Sequence, residues 1–282
     1  MIVLSFTYDW ISVTCKTRPD YKWFEYAYPS ELLSIEDKPA HGYNRCRCTA
    51  CLCRVQWHTE RTEMGHHCTY SGQSLNVHEN NGIAKERILK YHVARGNKFT
   101  RLDVALDVRD SALNIRSLAA QLKRGSAQTR FQTWNLIDGN NGQTLYMGSR
   151  QSEQFLRIYD KGMEQQDGSN WKRIELEMKG SRAQAFAEMS ANRDNNATAE
   201  ATRRAIKHLV DFNGPTWRDI VGDLAIGIAK AKEGQTDTVA WLISSVAPAM
   251  GKYIAKFGDS GLTEKFLMVV AEYANSTAEQ SR

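Results

Sequence analysis

The chain has 282 residues, 41% hydrophobic and 24% charged, which is typical of a globular protein with enough material for a sizeable core. Its formal net charge of +5 permits a polyanionic partner without requiring one. No apolar run approaches the roughly 20 residues needed to cross a bilayer. The apolar first residues are interrupted by Asp9 and lack a basic leader or cleavage site, so neither a membrane anchor nor a signal peptide is expected.

The first 80 residues have a β-rich pattern at Ile2–Thr14, Tyr43–Trp57 and His66–Val77, with a break at Ser71-Gly72. Five of the six cysteines lie between Cys46 and Cys68, and His58, His66 and His67 lie among them. A zinc site is one interpretation, although the CxCxxCxC spacing is looser than that of paired zinc knuckles. The other is a β-hairpin, with Cys46 and Cys48 on one strand, Cys51 and Cys53 on the next, and reduced thiols acting as small apolar side chains.

Helical patterns alternate with strands over the rest of the chain. Residues 83–95 have helical periodicity, Ser111 is a candidate N-cap for a helix through Arg124, and Ser126–Gln143 reads as a polar hairpin or loop. A further helix is expected at Arg182–Met189. From about Asn192 the patterns are helical only, at Thr198–Phe212, Trp217–Lys232, Thr236–Phe257 and Leu262–Asn275. The sequence therefore predicts a mixed α/β domain over residues 1–191 and a helical C-terminal module over residues 192–282.

Three segments are predicted to be strands with one polar face each: Phe99–Asp107, Phe155–Lys161 and Lys172–Lys179. Side chains alternate between the faces of a strand, so each segment separates an apolar set from a polar one. The polar sets are Arg101, Asp103 and Asp107; Arg157, Tyr159 and Lys161; and Arg173, Glu175, Glu177 and Lys179. If the strands pair, these groups face one another, which suits metal-assisted attack of a tyrosine on a phosphodiester.

Tyr159 is the candidate nucleophile of this arrangement. Because a free phenol has a pKa near 10, it needs cations or a base close by to react at neutral pH. Arg157 and Lys161 lie two residues on either side, and both would also neutralise charge on a bound phosphate. The alternative is an ordinary strand tyrosine.

The carboxylates of the polar face are the candidate metal ligands. Asp103 and Asp107 lie roughly 13 Å apart along one strand and cannot bind the same ion, whereas Glu175 and Glu177 are roughly 7 Å apart. One of the two aspartates, Glu175 and also Glu177 form the predicted ligand set for Mg²⁺ or Mn²⁺, and the choice of aspartate stays open. The alternative is a solvated face with cross-strand ion pairs.

Candidate DNA contacts lie at three places. Ser149, Arg150 and Ser152 follow Gly148 and could bind a phosphate, although a plain polar turn also explains them. Arg101 and Arg173 are further candidates on the polar face itself. A third set, Arg203, Arg204 and Lys207, forms a basic stripe on a predicted helix, where a solvated face is the alternative.

The order TRLDVALDV, TLYMGSRQSEQFLRIYDKGMEQ and WKRIELEMKG resembles the replication initiation factor family. This family comprises rolling-circle initiators of plasmids and filamentous phages, together with some relaxases of conjugative transposons. The pieces YDWISV (Tyr8–Val13), GYNR (Gly42–Arg45), YSGQSLN (Tyr70–Asn76) and WLISSVAPAM (Trp241–Met250) fit the same pattern. The resemblance implies an α+β fold in which an antiparallel β-sheet catalytic domain with flanking helices precedes the helical module.

The resemblance also implies a nicking–joining enzyme. The tyrosine in the position of Tyr159 becomes linked to a 5′ phosphate at the origin, and the same site later rejoins the strand. A divalent cation is required but no nucleotide cofactor. Since no histidine pair lies on a predicted strand here, the ligands are assigned to Asp and Glu.

The partners implied are origin DNA, a host helicase and a host polymerase in the bacterial cytoplasm, with a homodimer left open and no membrane involved. Three alternatives stay open from the sequence. They are a conjugative relaxase of the same chemistry, a non-catalytic origin-binding regulator, and a zinc-dependent DNA-binding module built on the cysteines.

Overall fold

The computed structural model describes residues 3–17, 34–140, 142–228, 230, 246–259, 261 and 263–268. The chain divides into two compact units, Met1–Ala231 and Lys232–Arg282. This division differs from the boundary that the sequence predicts near residue 192.

Twelve strands are present in the described residues. They are β1 (Val3–Cys15), β2 (Ser34–Glu36), β3 (Arg45–Thr49), β4 (Arg54–Trp57), β5 (His66–Tyr70), β6 (Lys98–Arg109), β7 (Gln128–Thr129), β8 (Trp134–Gly139), β9 (Gly142–Met147), β10 (Gln154–Asp160), β11 (Trp171–Lys179) and β12 (Val210–Asp211). Ten form one sheet in the order β2-β3-β4-β5-β1-β6-β11-β10-β9-β8, and β7 pairs with β12. All neighbouring strands of the large sheet are antiparallel, which confirms the predicted α+β class.

Helices follow the strands in chain order. The first unit contains α1 (Gly72–Asn80), α2 (Lys85–Ala94), α3 (Ile115–Lys123), α4 (Lys161–Gln165), α5 (Gly180–Ala191), α6 (Asn195–Leu209) and α7 (Pro215–Val221). In the second unit, α8 (Ala247–Phe257) and residues 263–268 are helical, as predicted, whereas residues 236–245 and 269–275 of the predicted helices lie outside the described residues. Within the described ranges, no helix combines the length and apolarity needed to span a bilayer.

The core lies on one face of the central strands. Leu102, Val104 and Leu106 of β6 are fully buried there, beside the alternating apolar residues of β10 and β11. Phe186 of α5 and Ile206 of α6 belong to the same apolar cluster. Because α6 buries this face, it belongs to the sheet unit, and the boundary between units falls after it rather than before it.

Three local predictions need correction. Residues after Ser71-Gly72 form α1 rather than a strand, because the Ser71 hydroxyl accepts a hydrogen bond from the Ser74 N–H and caps the helix. The N-cap of α3 is Asn114 rather than Ser111. The helix that begins near Trp217 ends at Gly222, whose φ of 75° is the left-handed conformation that glycine tolerates best.

The cysteine-rich segment forms a hairpin, as predicted, but Cys51 and Cys53 lie in its turn rather than on the second strand. In it, β3 pairs with β4, so that Cys46 lies opposite Gln56 and Cys48 opposite Arg54. Burial raises the pKa of the Cys53 thiol, which keeps it protonated. Across the part of the chain that the structure describes, no three His, Cys, Asp or Glu side chains are placed to hold a metal ion as they stand. The burial of Cys46, Cys51, Cys53 and Cys68 agrees with the interpretation as small apolar thiols.

Candidate active site

The polar sets of β6, β10 and β11 meet on one face of the sheet, as the alternation predicts. The strand β11 lies between the other two. On its β6 side the opposed pairs are Glu177–Asp103, Glu175–Ala105 and Arg173–Asp107; on its β10 side they are Glu175–Arg157 and Arg173–Tyr159. The three segments therefore bring the tyrosine, the carboxylates and the arginines together.

The carboxylates of this face are buried. Asp103 and Glu175 are each 1% exposed and Glu177 is 3% exposed. A carboxylate removed from water is stable only with compensating charge or hydrogen bonds. The pKa of Asp103 is raised to about 7, with burial as the largest cause; Arg101 opposes the shift, and the adjacent charges of Glu175 and Glu177 add to it.

Each carboxylate is paired with a cation. Arg101 donates to both oxygens of Asp103, at 2.9 and 2.6 Å, and Arg157 forms an ion pair with Glu175. Lys179 lies 2.9 Å from Glu177. The two strongest geometries, Arg101–Asp103 and Arg173–Asp107, are bidentate. The cations that the sequence assigns to DNA and to catalysis thus also neutralise the acids.

Tyr159 lies at the centre of this network and is 7% exposed. Its hydroxyl donates to Glu175 Oε2 at 3.2 Å. Burial raises the pKa of the Tyr159 phenol, and the negative charge of Glu175 raises it further, while Arg173 opposes the shift. The phenol is therefore protonated in this state, and its neighbouring cations do not by themselves prepare it as a nucleophile.

Lys161 is not on the strand, in contrast to the prediction. The strand β10 ends at Asp160, whose carboxylate accepts a hydrogen bond from the Met163 N–H and caps α4. Lys161 is the first residue of that helix and forms an ion pair with Glu164. Its ammonium lies 5.6 Å from the centre of the Tyr159 ring, beside the phenol rather than bonded to its oxygen.

Of the predicted metal ligands, Asp103 and Glu177 approach one shared cationic group, whereas Asp107 is held separately. Asp103 Oδ2 and Glu177 Oε2 lie 2.6 and 3.0 Å from the same nitrogen, Arg101 Nη2. Glu177 Oε2 is buried and accepts no hydrogen bond. Hard oxygen donors of this kind suit Mg²⁺ or Mn²⁺. Asp107, by contrast, is held by Arg173 and by the Trp171 indole N–H at 2.7 Å.

Asp9 also belongs to the site, and the sequence reasoning missed it. It lies at a register shift of β1 between Tyr8 and Trp10, so its side chain escapes the alternation of that strand. Arg173 Nη1 donates to Asp9 Oδ1 at 2.7 Å, and Asp9 raises the pKa of Glu175. The sequence signal that could have identified Asp9 is that it is a charged residue within an otherwise apolar strand.

Of the remaining candidate DNA contacts, Arg150 lies 3.7 Å from Glu177, and the others have contacts within the protein. Ser152 donates to the Ser149 carbonyl at 2.6 Å, within one turn. On α6, three basic side chains have protein partners: Arg203 with the Ile220 carbonyl, Arg204 with Glu200 and Lys207 with Asp211. Their contact with DNA stays a prediction.

Residues 97–267, more than half of the chain, match the model of a family described as replication initiation factor. The chain belongs to the replication initiation factor family. This confirms the resemblance drawn from the central motifs, which lie within the matched residues.

Individual relatives agree with the family. The chain is 29% identical over 185 residues to the “Putative DNA relaxase NicK” of Bacillus subtilis (strain 168), covering 55% of this chain and 53% of that protein. It is 33% identical over 113 residues to a “Replication initiation protein” of Staphylococcus aureus, covering 36% of this chain and 32% of that protein. The chain thus spans about half the length of the first relative and about a third of the second.

The fold is shared with a solved structure. The structure of a rolling circle replication initiator protein from Geobacillus stearothermophilus superimposes with a TM-score of 0.67 at 21% identity. The match covers 81% of this chain and 100% of that chain.

Proposed function

We propose that this protein nicks and rejoins one DNA strand at a replication origin, with Tyr159 as the nucleophile. The observation that carries the proposal is the hydrogen bond from the Tyr159 hydroxyl to Glu175, inside a cluster of buried carboxylates and arginines. Membership in the replication initiation factor family supports it.

The reaction follows from the contacts of the phenol. Its oxygen bonds to the scissile phosphorus, the bond from phosphorus to the 3′ oxygen breaks, and the 3′ hydroxyl leaves after taking up a proton. Glu175 Oε2, at 3.2 Å, is the acceptor for the phenol proton. Rejoining is the reverse attack by a 3′ hydroxyl on the phosphotyrosine, so the phosphodiester energy is conserved.

The arginines around the site have a second role in the proposed reaction, besides neutralising the carboxylates. Arg157 lies two residues before Tyr159 on β10 and Arg173 lies opposite Tyr159 on β11, so their charge would stabilise the phosphoryl oxygens of the transition state. Arg157 must then loosen its ion pair with Glu175, which frees that carboxylate for the phenol proton or for a cation.

Asp103, Glu175 and Glu177 would hold Mg²⁺ or Mn²⁺, with Arg101 displaced from Asp103 and Glu177. A bound divalent cation neutralises the carboxylates, polarises the phosphate and stabilises the leaving oxygen. In the cell, the freed 3′ hydroxyl would prime a host polymerase, with strand separation by a host helicase in the bacterial cytoplasm.

A conjugative relaxase of the same chemistry is the second candidate. The similarity to the relaxase relative of B. subtilis favours it. The two functions share the covalent intermediate and differ in the DNA site that is cut.

The test is covalent attachment to DNA. We expect the protein, incubated with a supercoiled plasmid carrying its origin and Mg²⁺ or Mn²⁺, to produce open circles with protein bound at a 5′ end. Tyr159→Phe should abolish both products and leave origin binding within a few-fold. The matched control is Tyr146→Phe, since Tyr146 lies on the same face of the adjacent strand. Nicking by Tyr159→Phe at the unsubstituted rate would refute the proposal.

A further inference from the structure

Two aromatic rings stack on the polar face of the sheet, beside the carboxylates. Phe155 lies opposite Glu177, and Tyr146 lies opposite Arg157. The centres of the two rings are 5.8 Å apart, with an interplanar angle of 27°. Neither ring belongs to the apolar core cluster on the other face.

A single exposed side chain covers these rings. The guanidinium carbon of Arg150 lies 4.7 Å from the centre of Phe155 and 5.7 Å from that of Tyr146. The Arg150 side chain is 57% exposed and comes from the turn between β9 and β10. Its Nη1 atom lies 3.7 Å from Glu177 Oε2, a distance too long for a hydrogen bond. The planar guanidinium of Arg150 therefore lies on the surface of the rings, and few hydrogen bonds hold it there.

The opposite side of the carboxylate cluster has a similar arrangement. The Arg101 guanidinium carbon lies 4.5 Å from the centre of the Trp10 ring, and Trp10 is opposite Asp103. Arg101 and Arg150 both approach Glu177 Oε2. Aromatic–arginine stacks thus flank the cluster on two sides.

We propose that Tyr146 and Phe155 form a stacking platform for a base of single-stranded DNA next to the scissile phosphate, and that Arg150 moves from the rings to the DNA backbone. Aromatic rings stack on any base, and an arginine beside them supplies charge to the phosphates. Phe155 lies four residues before Tyr159, roughly 13 Å along the strand, so the stacked nucleotide would lie close to the nucleophile. This inference rests on the proposed function.

Binding can be tested without cleavage in the Tyr159→Phe protein. The probes are a dye-labelled oligothymidylate and an abasic deoxyribose-phosphate oligomer of the same length, measured by fluorescence anisotropy. Because stacking on one aromatic side chain changes affinity by about tenfold, Tyr146→Leu should weaken oligothymidylate binding by about that factor and leave abasic binding unchanged. Tyr146→Phe, which keeps the ring, should restore oligothymidylate binding.

The matched control is Trp134→Leu. Trp134 is 38% exposed on the next strand, but it pairs with Met147 and so lies on the opposite face from Tyr146. It should leave the affinity for both probes unchanged. An equal loss on both probes for Tyr146→Leu, or no loss on either, would overturn the platform.

A second variant tests the arginine. Arg150→Ala should reduce the slope of log affinity against log salt by about 0.7 on both probes, which is the contribution of one phosphate contact in a single strand. An unchanged slope would overturn the movement of Arg150 to the backbone. These measurements need no catalysis, so a positive result would support the platform even if the nicking test failed. If the protein nicks DNA but Tyr146→Leu does not change binding, only the platform is refuted.

Discussion

At the scale of single residues, Glu175 connects the parts of the site. It accepts from Tyr159 and pairs with Arg157, and its charge raises the pKa of the phenol. In the proposed reaction, this carboxylate would serve both as the proton acceptor and as a cation ligand. The negative charge of Glu175 disfavours the phenolate of Tyr159. It would also attract a metal ion, whose positive charge favours that phenolate.

We predict two changes in Glu175→Gln. Binding of Mn²⁺, measured by isothermal titration calorimetry, should weaken by about tenfold or more because a ligand charge is lost. The pKa of Tyr159 should fall towards its ordinary value, as seen in an ultraviolet difference titration of the metal-free protein. Asp107→Asn is the control, since Asp107 is held by Arg173 and Trp171, and unweakened Mn²⁺ binding in Glu175→Gln would contradict the ligand assignment.

Arg173 illustrates a structural role within the same site. Its buried guanidinium bridges Asp107 and Asp9, which are far apart in sequence. We expect Arg173→Ala to lower the free energy of unfolding by about 3 kcal/mol, because the buried carboxylate of Asp107 and the partly buried one of Asp9 lose their cationic partner. Arg116→Ala is the matched control: Arg116 is also bidentate, to Asp138, but its side chain is 68% exposed. Equal urea midpoints for the two variants would contradict the prediction.

At the scale of elements, β5 depends on a neutral histidine. His67 pairs across the sheet with Thr14 and Gln56, and its ring stacks on Tyr43. Burial, with a smaller contribution from His41, lowers the pKa of His67 from 6.5 to about 4. As pH falls through this window, the unfolded chain binds a proton that the folded chain excludes, so this contribution to stability is lost.

We therefore predict that acid destabilisation between pH 6.5 and 4.5 is shallower in His67→Gln than in the unsubstituted protein. Urea midpoints measured across this range check it. Identical slopes for His67→Gln and the unsubstituted protein would show that His67 does not titrate as described.

At the scale of the whole molecule, the sheet unit extends to Ala231. Since α6 contributes Ala205, Ile206 and Leu209 to the core of the sheet, it cannot be removed without exposing that core. We predict that a chain ending at Ala231 unfolds cooperatively, as followed by circular dichroism during a urea titration. A chain ending at residue 191 should lack a cooperative transition, and a normal transition there would place the boundary where the sequence suggested.

Much of the site could be predicted from the sequence because strand alternation is local. Because side chains alternate with a period of two, Asp103, Tyr159 and Glu175 point to the polar face of the sheet, and their apolar neighbours point to the other face. The position of Lys161 could not be predicted in this way, because capping of α4 by Asp160 ends the strand one residue earlier.

The sequence by itself determined the three strands of the polar face, the composition of their faces and the membership of the family. Only the tertiary structure decided that Glu177 lies opposite Asp103, that Asp9 enters the site and that α6 belongs to the sheet unit. The physical reason is that strand register and helix packing join segments that are distant along the chain. Register and packing depend on the burial of the whole apolar face of the sheet, and no local sequence pattern carries that information.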